Sequence, residues 1–216
     1  GRHRPPVDIL FVGKNPGAQE DELGEPFVGP TGNWLKTYTD ALVGVSFAFT
    51  NAVACANRSG GKNESPKKEH VDACRGFLQE DLEKWKPRII VALGSTALQA
   101  LWPSGPGSLA RAKGVHRLGD RWLVVTDHPS NHIAGRRNLT AEYDKIFELI
   151  VRLLSGDSTA IASQDITICD TWDKVTTAHY HLEKQDVLNF DFEINTCNAD
   201  LERLTLWHPK VVPLCV

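Results

Sequence analysis

The chain has 216 residues with 41% hydrophobic and 24% charged side chains, an ordinary globular composition that excludes a disordered or coiled-coil protein. No apolar run approaches the roughly 18 residues that cross a bilayer, and no basic segment followed by an apolar one marks a secretory leader. The net charge of -3 hides a split: residues 155–216 hold 4 Lys/Arg against 10 Asp/Glu, and residues 1–154 hold 20 against 17. A change of sign there suggests a domain boundary, and the positive first part is compatible with a nucleic-acid partner. Met is absent and residue 1 is Gly, which reads as a piece of a longer protein. Five cysteines, at 55, 74, 169, 197 and 215, give an odd count that suits a reducing, cytoplasmic setting.

In chain order, Val7–Gly13 (VDILFVG) is a short apolar run after two prolines and predicts a buried strand. A Gly/Pro-rich loop fills Lys14–Pro30. Thr31–Leu42 has helical spacing, with Trp34, Leu35, Tyr38 and Leu42 on one face. Ser46–Val53 is a second strand and Arg58–Ser65 a polar loop. Ser65 and Pro66 open a helix, as N-cap and first-turn proline, that runs to Trp85. Pro87 stops it. Arg88–Gly94 is a third strand, Ser95–Leu101 a short helix, Trp122–Thr126 a fourth strand, and Ala141–Leu154 an amphipathic helix. Gly156–Ser163 is small and polar, a linker composition.

Strands alternating with helices predict an α/β fold: a three-layer α/β/α sandwich around a mainly four-stranded parallel sheet. Ligands of such sheets bind beyond the carboxyl ends of the strands. That directs attention to Gly13–Gly17, Asn51, Gly94–Ser95 and Asp127–Ser130. The first loop is long for a plain connection and rich in Gly and Pro, which favours a site. Phe27 inside it is either a core plug or a stacking platform for a base. Pro129 fixes the chain after His128 and aims its imidazole, although a lone histidine is more often structural. In Asn131–Asn138 (NHIAGRRN), Ile133 stands beside Arg136 and Arg137. That is a wedge-and-phosphate pattern or a solvated loop.

The pattern G-x-x-P-G-x-x-E-D-x-x-G-x-P-F-V-G-x-x-G, starting at Gly13, resembles motif A of the uracil-DNA glycosylase superfamily, most nearly its family-4 enzymes. The resemblance continues through Thr50–Cys55 (TNAVAC), Ala73-Cys74-Arg75, Lys86–Gly94 (KPRIIVALG) and His128-Pro129-Ser130, covering about residues 7–154. It implies hydrolysis of the N-glycosidic bond of uracil, or a 5-substituted uracil, in single- or double-stranded DNA, without a lyase step. Gly13 and Lys14 would line the substrate pocket, Phe27 would stack the flipped base, and Asn51 would read its edge. His128 would stabilise charge on O2, and Ser130, Ile133, Arg136 and Arg137 would hold the DNA. Family 4 usually has Glu where Lys14 stands. The resulting G-K-N-P-G looks more like the mismatch-specific and single-strand-selective glycosylases, whose Asn orients the attacking water, so Asn15 takes that role. The same departure leaves room for a silent binding module. Another α/β nucleotide-binding protein would give no reason for Asn51 and His128 to accompany motif A.

Cys55 and Cys74 match two of four cysteines that hold a [4Fe–4S] cluster in family 4, the other two falling upstream of Gly1. The last segment resembles the start of a family A polymerase 3′–5′ exonuclease domain. It has a helix over Trp172–Lys184, a strand Val187–Ile194 with Asp191 and Glu193 on one face, and a strand Leu204–Val216. That resemblance implies Mg2+ or Mn2+ at Asp191 and Glu193 and polymerase domains on the same chain, an arrangement like bacteriophage replication proteins. The organisation expected is therefore a glycosylase-like domain over 1–154, a linker over 155–168, and an incomplete exonuclease-like part over 169–216.

Overall fold

A computed structural model describes residues 4–59 and 62–156. The chain divides into two units, Gly1–Gln164 and Asp165–Val216, and every described residue belongs to the first. The expectations for residues 157–216, including Asp191 and Glu193, lie outside the described residues.

The first unit is a five-stranded sheet between helical layers. The strands are β1 (Ile9–Gly13), β2 (Phe47–Asn51), β5 (Ile89–Leu93), β6 (Gly114–Leu118) and β7 (Arg121–Thr126), in the order β2-β1-β5-β7-β6. The first four sheet neighbours run parallel and β6 is antiparallel to β7. A second, two-stranded sheet pairs β3 (Arg58–Ser59) with β4 (Lys62–Asn63). Every residue of β1 and β5 is buried, which is why both read as unbroken apolar runs rather than alternating ones.

The two faces of the sheet make two core clusters. Leu10, Val12, Ile90, Ala92, Leu123 and Val125 pack with α3 (Lys68–Trp85) and α4 (Ser95–Leu101). Ile9, Phe11, Ile89, Val91 and Val124 pack with α2 (Pro30–Thr39) and α7 (Thr140–Leu154). Helix α7 buries Tyr143, Ile146, Phe147, Ile150 and Leu153, a three-and-four spacing that covers the sheet with one stripe. Truncating a residue such as Ile150, fully buried there, costs about 2–5 kcal/mol.

Several elements depart from the sequence reading. The sheet gains a fifth strand, β6, whose partner lies across a two-residue turn, Gly119-Asp120, with Gly119 at φ +62. Only Val115 of β6 is buried, so its apolar pattern is too thin to see, and the Gly-Asp turn was the available signal. The first loop contains α1 (Ala18–Leu23), which buries no residue and so has no apolar face. Two further short helices, α5 (Leu109–Ala112) and α6 (Ser130–Ile133), were also missed. Arg58–Ser65 holds the β3–β4 hairpin rather than plain loop. Helix α3 starts at Lys68, not at Ser65-Pro66. The Glu64 N–H bonds the Asn57 carbonyl at 2.7 Å and the Asn57 amide bonds the Ser65 carbonyl at 3.2 Å, so these residues close the hairpin instead of capping the helix.

Candidate active site

The strand register sets the geometry. Gly13 and Asn51 face each other at the carboxyl ends of β1 and β2, and the pairing continues with Ala52 N–H on the Gly13 carbonyl and Val53 N–H on the Lys14 carbonyl. Leu93 and Thr126 end β5 and β7 side by side. Gly94 follows at φ +87, and a Cβ there would stand 3.0 Å from the Cβ of His128. A glycine is thus what lets the His128 turn close over the end of β5.

The first loop is built as a cradle. The Glu20 carboxylate accepts the Gly29 N–H at 2.7 Å, tying α1 to the start of α2. Between them Phe27 takes φ +58, unusual for a bulky residue, and it is held there by close packing. Its carbonyl lies so near Gly32 that a Cβ at Gly32 would be 1.8 Å away. The Phe27 ring packs 5.1 Å from Phe49 and against Gly13, where an added Cβ would be 2.6 Å from Cζ and 2.5 Å from Asn51 Oδ1. Gly13, Phe27 and Asn51 therefore meet at one point. Phe27 is only 7% exposed and belongs to the second core cluster, so it is a core plug whose ring edge borders Gly13.

Asn15 is buried at the same edge. Its Nδ2 donates to the Pro16 carbonyl at 3.1 Å and to Asn63 Oδ1 at 2.9 Å. Its Oδ1 is buried and has no partner. A buried carbonyl oxygen without a donor is costly unless a water or ligand supplies one. Lys14 is half-buried and makes no ion pair among the described residues. Burial, then the neighbouring charge of Arg136, pushes its ammonium below the ordinary lysine range.

His128 is half-buried. The Ser130 N–H donates to its Nδ1 at 3.2 Å, and the Ser130 hydroxyl lies 2.8 Å from the same nitrogen. A backbone N–H can only donate, so Nδ1 is the acceptor and the proton sits on Nε2. Burial, followed by the positive charge of Lys14, lowers the histidine pKa to about 4, so the ring is neutral near pH 7. The preceding residue is anchored on three sides. Asp127 is buried and pairs with Lys113 at 2.5 Å and with Arg137; its N–H bonds Glu142 and its carbonyl accepts the Tyr143 hydroxyl at 2.7 Å. Burial alone would raise the Glu142 carboxyl, but hydrogen bonds from Lys113, Thr126 and the Asp127 N–H outweigh it and hold it below its ordinary value.

The four residues expected to hold DNA separate into two roles. Ile133 is 45% exposed at the end of α6, and Arg136 is exposed beside it, its guanidinium donating to Asn131 Oδ1 at 3.3 Å and its backbone N–H to the Asn131 carbonyl at 2.9 Å. Ser130 instead turns toward His128, and Arg137 directs its guanidinium to Asp127 and Glu142. His132 stacks on Trp34 at 4.5 Å, which ties this turn to α2. The sequence reading did not find Asn63, Lys113, Asp127, Glu142 or Tyr143 as supports of the site. Only Asp127, next to His128, carried a local signal.

Cys55 is exposed just past β2, and Cys74 is half-buried on α3 against the first core cluster; both are free thiols. Two cysteines are fewer than the four thiolates that a [4Fe–4S] cluster usually takes, and no group of three or more His, Cys, Asp or Glu among the described residues is placed to hold a metal. The described residues do not complete the ligands of a [4Fe–4S] cluster. No described helix is long and apolar enough to cross a membrane.

Residues 1–155 match the family model of the uracil DNA glycosylase superfamily. The chain is similar to the type-4 uracil-DNA glycosylase of Thermotoga maritima, 34% identical over 134 residues, 60% of this chain and 68% of that protein. It is similar to the enzyme of the same description from Archaeoglobus fulgidus, 32% identical over 159 residues, 68% of this chain and 77% of that protein. A third such protein, from Pyrobaculum aerophilum, is 40% identical over 100 residues, 44% of this chain and 48% of its own. These matches show that the chain belongs to the uracil DNA glycosylase superfamily and is an enzyme of that group.

Proposed function

We propose that residues 1–154 hydrolyse the N-glycosidic bond of uracil, or of a 5-substituted uracil, in DNA. The observation that carries this reading is the convergence of the Asn51 amide and the Phe27 ring over Gly13 at the strand edge. The C1′ atom is unreachable while the base is stacked, so the nucleotide is first extruded, with Ile133 entering the stack and Arg136 holding phosphate. The uracil ring lies against Phe27. Asn51 Oδ1 accepts from N3–H and its Nδ2 donates to O4, a pairing that cytosine cannot match. As the C1′–N1 bond breaks, its electron pair passes into the uracil ring. His128 donates from Nε2 to O2, where the negative charge grows, and the Lys14 ammonium favours the same anion. Asn15 Oδ1 accepts a hydrogen bond from the water that adds to C1′. The water's second proton leaves to solvent or to the departing base, with no Schiff base formed.

Cys55 and Cys74 would supply two thiolates of a [4Fe–4S] cluster whose role is to tie down the segment around the β3–β4 hairpin. For residues 169–216 the sequence supports the reading of an exonuclease-like part, with Asp191 and Glu193 binding Mg2+ or Mn2+.

Incubation with uracil-containing single- and double-stranded oligonucleotides, followed by alkali, tests the activity. Strand breaks at uracil are expected. Retention of the DNA with no alkali-labile site would overturn catalysis in favour of the silent binding module that Lys14, in place of Glu, would suit. Asn15→Ala is expected to abolish base release with DNA binding intact.

A further inference from the structure

We propose that Asn63 is a positioning residue that sets the orientation of the Asn15 carboxamide, and with it the face presented to the attacking water. This rests on the water-orienting role given to Asn15 above. The residue lies 48 positions downstream, on the two-stranded hairpin, in register with Arg58.

A primary amide can turn over and exchange its oxygen for its nitrogen, and the two ends differ little in shape. An Asn15 that does so would present N–H to the water and lose the acceptor. Two neighbours oppose the turn. The Pro16 carbonyl, 3.1 Å away, can only accept, so the NH2 end faces it. Asn63 presents its own Oδ1 to the second amide hydrogen at 2.9 Å. Both hydrogens are then used and Oδ1 is left on the other side, buried and unpartnered. That combination, a fully engaged donor end and an orphaned acceptor end, is what a water-holding amide needs. Pro16 alone is adjacent in the chain and engages one hydrogen. Asn63 supplies the second, non-local restraint. It is otherwise exposed, and its Nδ2 sits near Gly17, where a Cβ would be 4.0 Å from it, so the hairpin also lies along the start of the motif A loop.

The test uses the full chain and a single-stranded uracil oligonucleotide, with single-turnover rate and DNA affinity measured separately. Asn63→Leu, close in size but without an acceptor, is expected to slow the single-turnover rate about tenfold, the scale of one neutral hydrogen bond. Affinity should stay within about twofold. Asn63→Asp keeps an acceptor and is expected to restore most of the rate, a rescue that a merely structural role would not show. Asn63→Ser, too short to reach Asn15 and well suited to a hairpin, serves as a second loss variant should Asn63→Leu fail to fold. Wild-type rates in the loss variants, while Asn15→Ala is inactive, would overturn the proposal and leave the reading of Asn15 standing. Full activity of Asn15→Ala would remove that reading first. Equal loss in Asn63→Asp and Asn63→Leu would assign Asn63 to the hairpin's stability alone.

Discussion

Gly13→Ala places one methyl group at the centre of the proposed pocket. The added Cβ would lie 2.5 Å from Asn51 Oδ1, 2.6 Å from Phe27 Cζ and 2.9 Å from Phe27 Cε2, all closer than carbon tolerates. Strand β1 cannot retreat, because it is bonded to β2 on one side and β5 on the other. Phe27 cannot retreat either: it is 7% exposed, backed by Phe49, and its carbonyl is locked against Gly32. Asn51 is half-buried and turns about two side-chain bonds, so it gives way while the Phe27 contacts remain. Because moving Asn51 relieves only one of the three contacts, the overpacking costs toward the high end of about 1–3 kcal/mol, a fall of about 2–4 °C in Tm for each kcal/mol. The larger effect is on recognition. Losing the two Asn51 bonds to the uracil edge removes about 1–3 kcal/mol, or about 5- to 160-fold in kcat/KM. The excess over cytosine should shrink with it. Paired measurements of kcat/KM and of the melting curve decide the matter. A drop in Tm with unchanged kcat/KM would show that Asn51 does not face the base, and no change in either would show that the crowding at Gly13 is not real.

Other consequences can be measured independently. The His128 ring should titrate near pH 4 with its proton on Nε2, read by nitrogen-resolved NMR, and Lys14→Gln should move that pKa upward by removing a positive neighbour. Unfolded histidine takes up a proton below about pH 6.5 and the folded ring refuses it until about pH 4, so stability should fall as pH drops through that window and His128→Ala should flatten the fall. The same variant should lower the single-turnover rate by about a hundredfold or more, with little change in affinity. Arg136→Ala should weaken duplex binding and reduce its salt dependence, whereas Arg137→Ala should lower Tm more than affinity, because its charge is spent on Asp127. Loss of Lys113 and Arg137 together, which leaves Asp127 buried without a cation, should cost about 3–5 kcal/mol in chemical denaturation.

Much of this architecture could be read directly from the chain. Buried strands such as VDILFVG and RIIVALG announce themselves because both faces are covered, and α7 because one stripe is. The motif A glycines and the position of His128 after a strand pointed to the candidate site, since parallel sheets open at their carboxyl ends whatever their sequence. What the chain order hides is everything that depends on a distant partner. Strand β6 is defined by its ladder with β7 rather than by its own apolarity. The proton of His128 sits on Nε2 because a backbone N–H occupies the other nitrogen. Arg136 and Arg137 are identical neighbours in sequence, yet only the second finds a buried carboxylate. Asn15 and Asn63 meet across 48 residues through side-chain atoms alone, and a hydrogen bond of that kind leaves no periodicity, spacing or composition to read. Local pattern determined which segments build the sheet and where a site would form. The orientation of each polar group within it was decided by three-dimensional proximity, because hydrogen bonds act over about 3 Å regardless of separation along the chain.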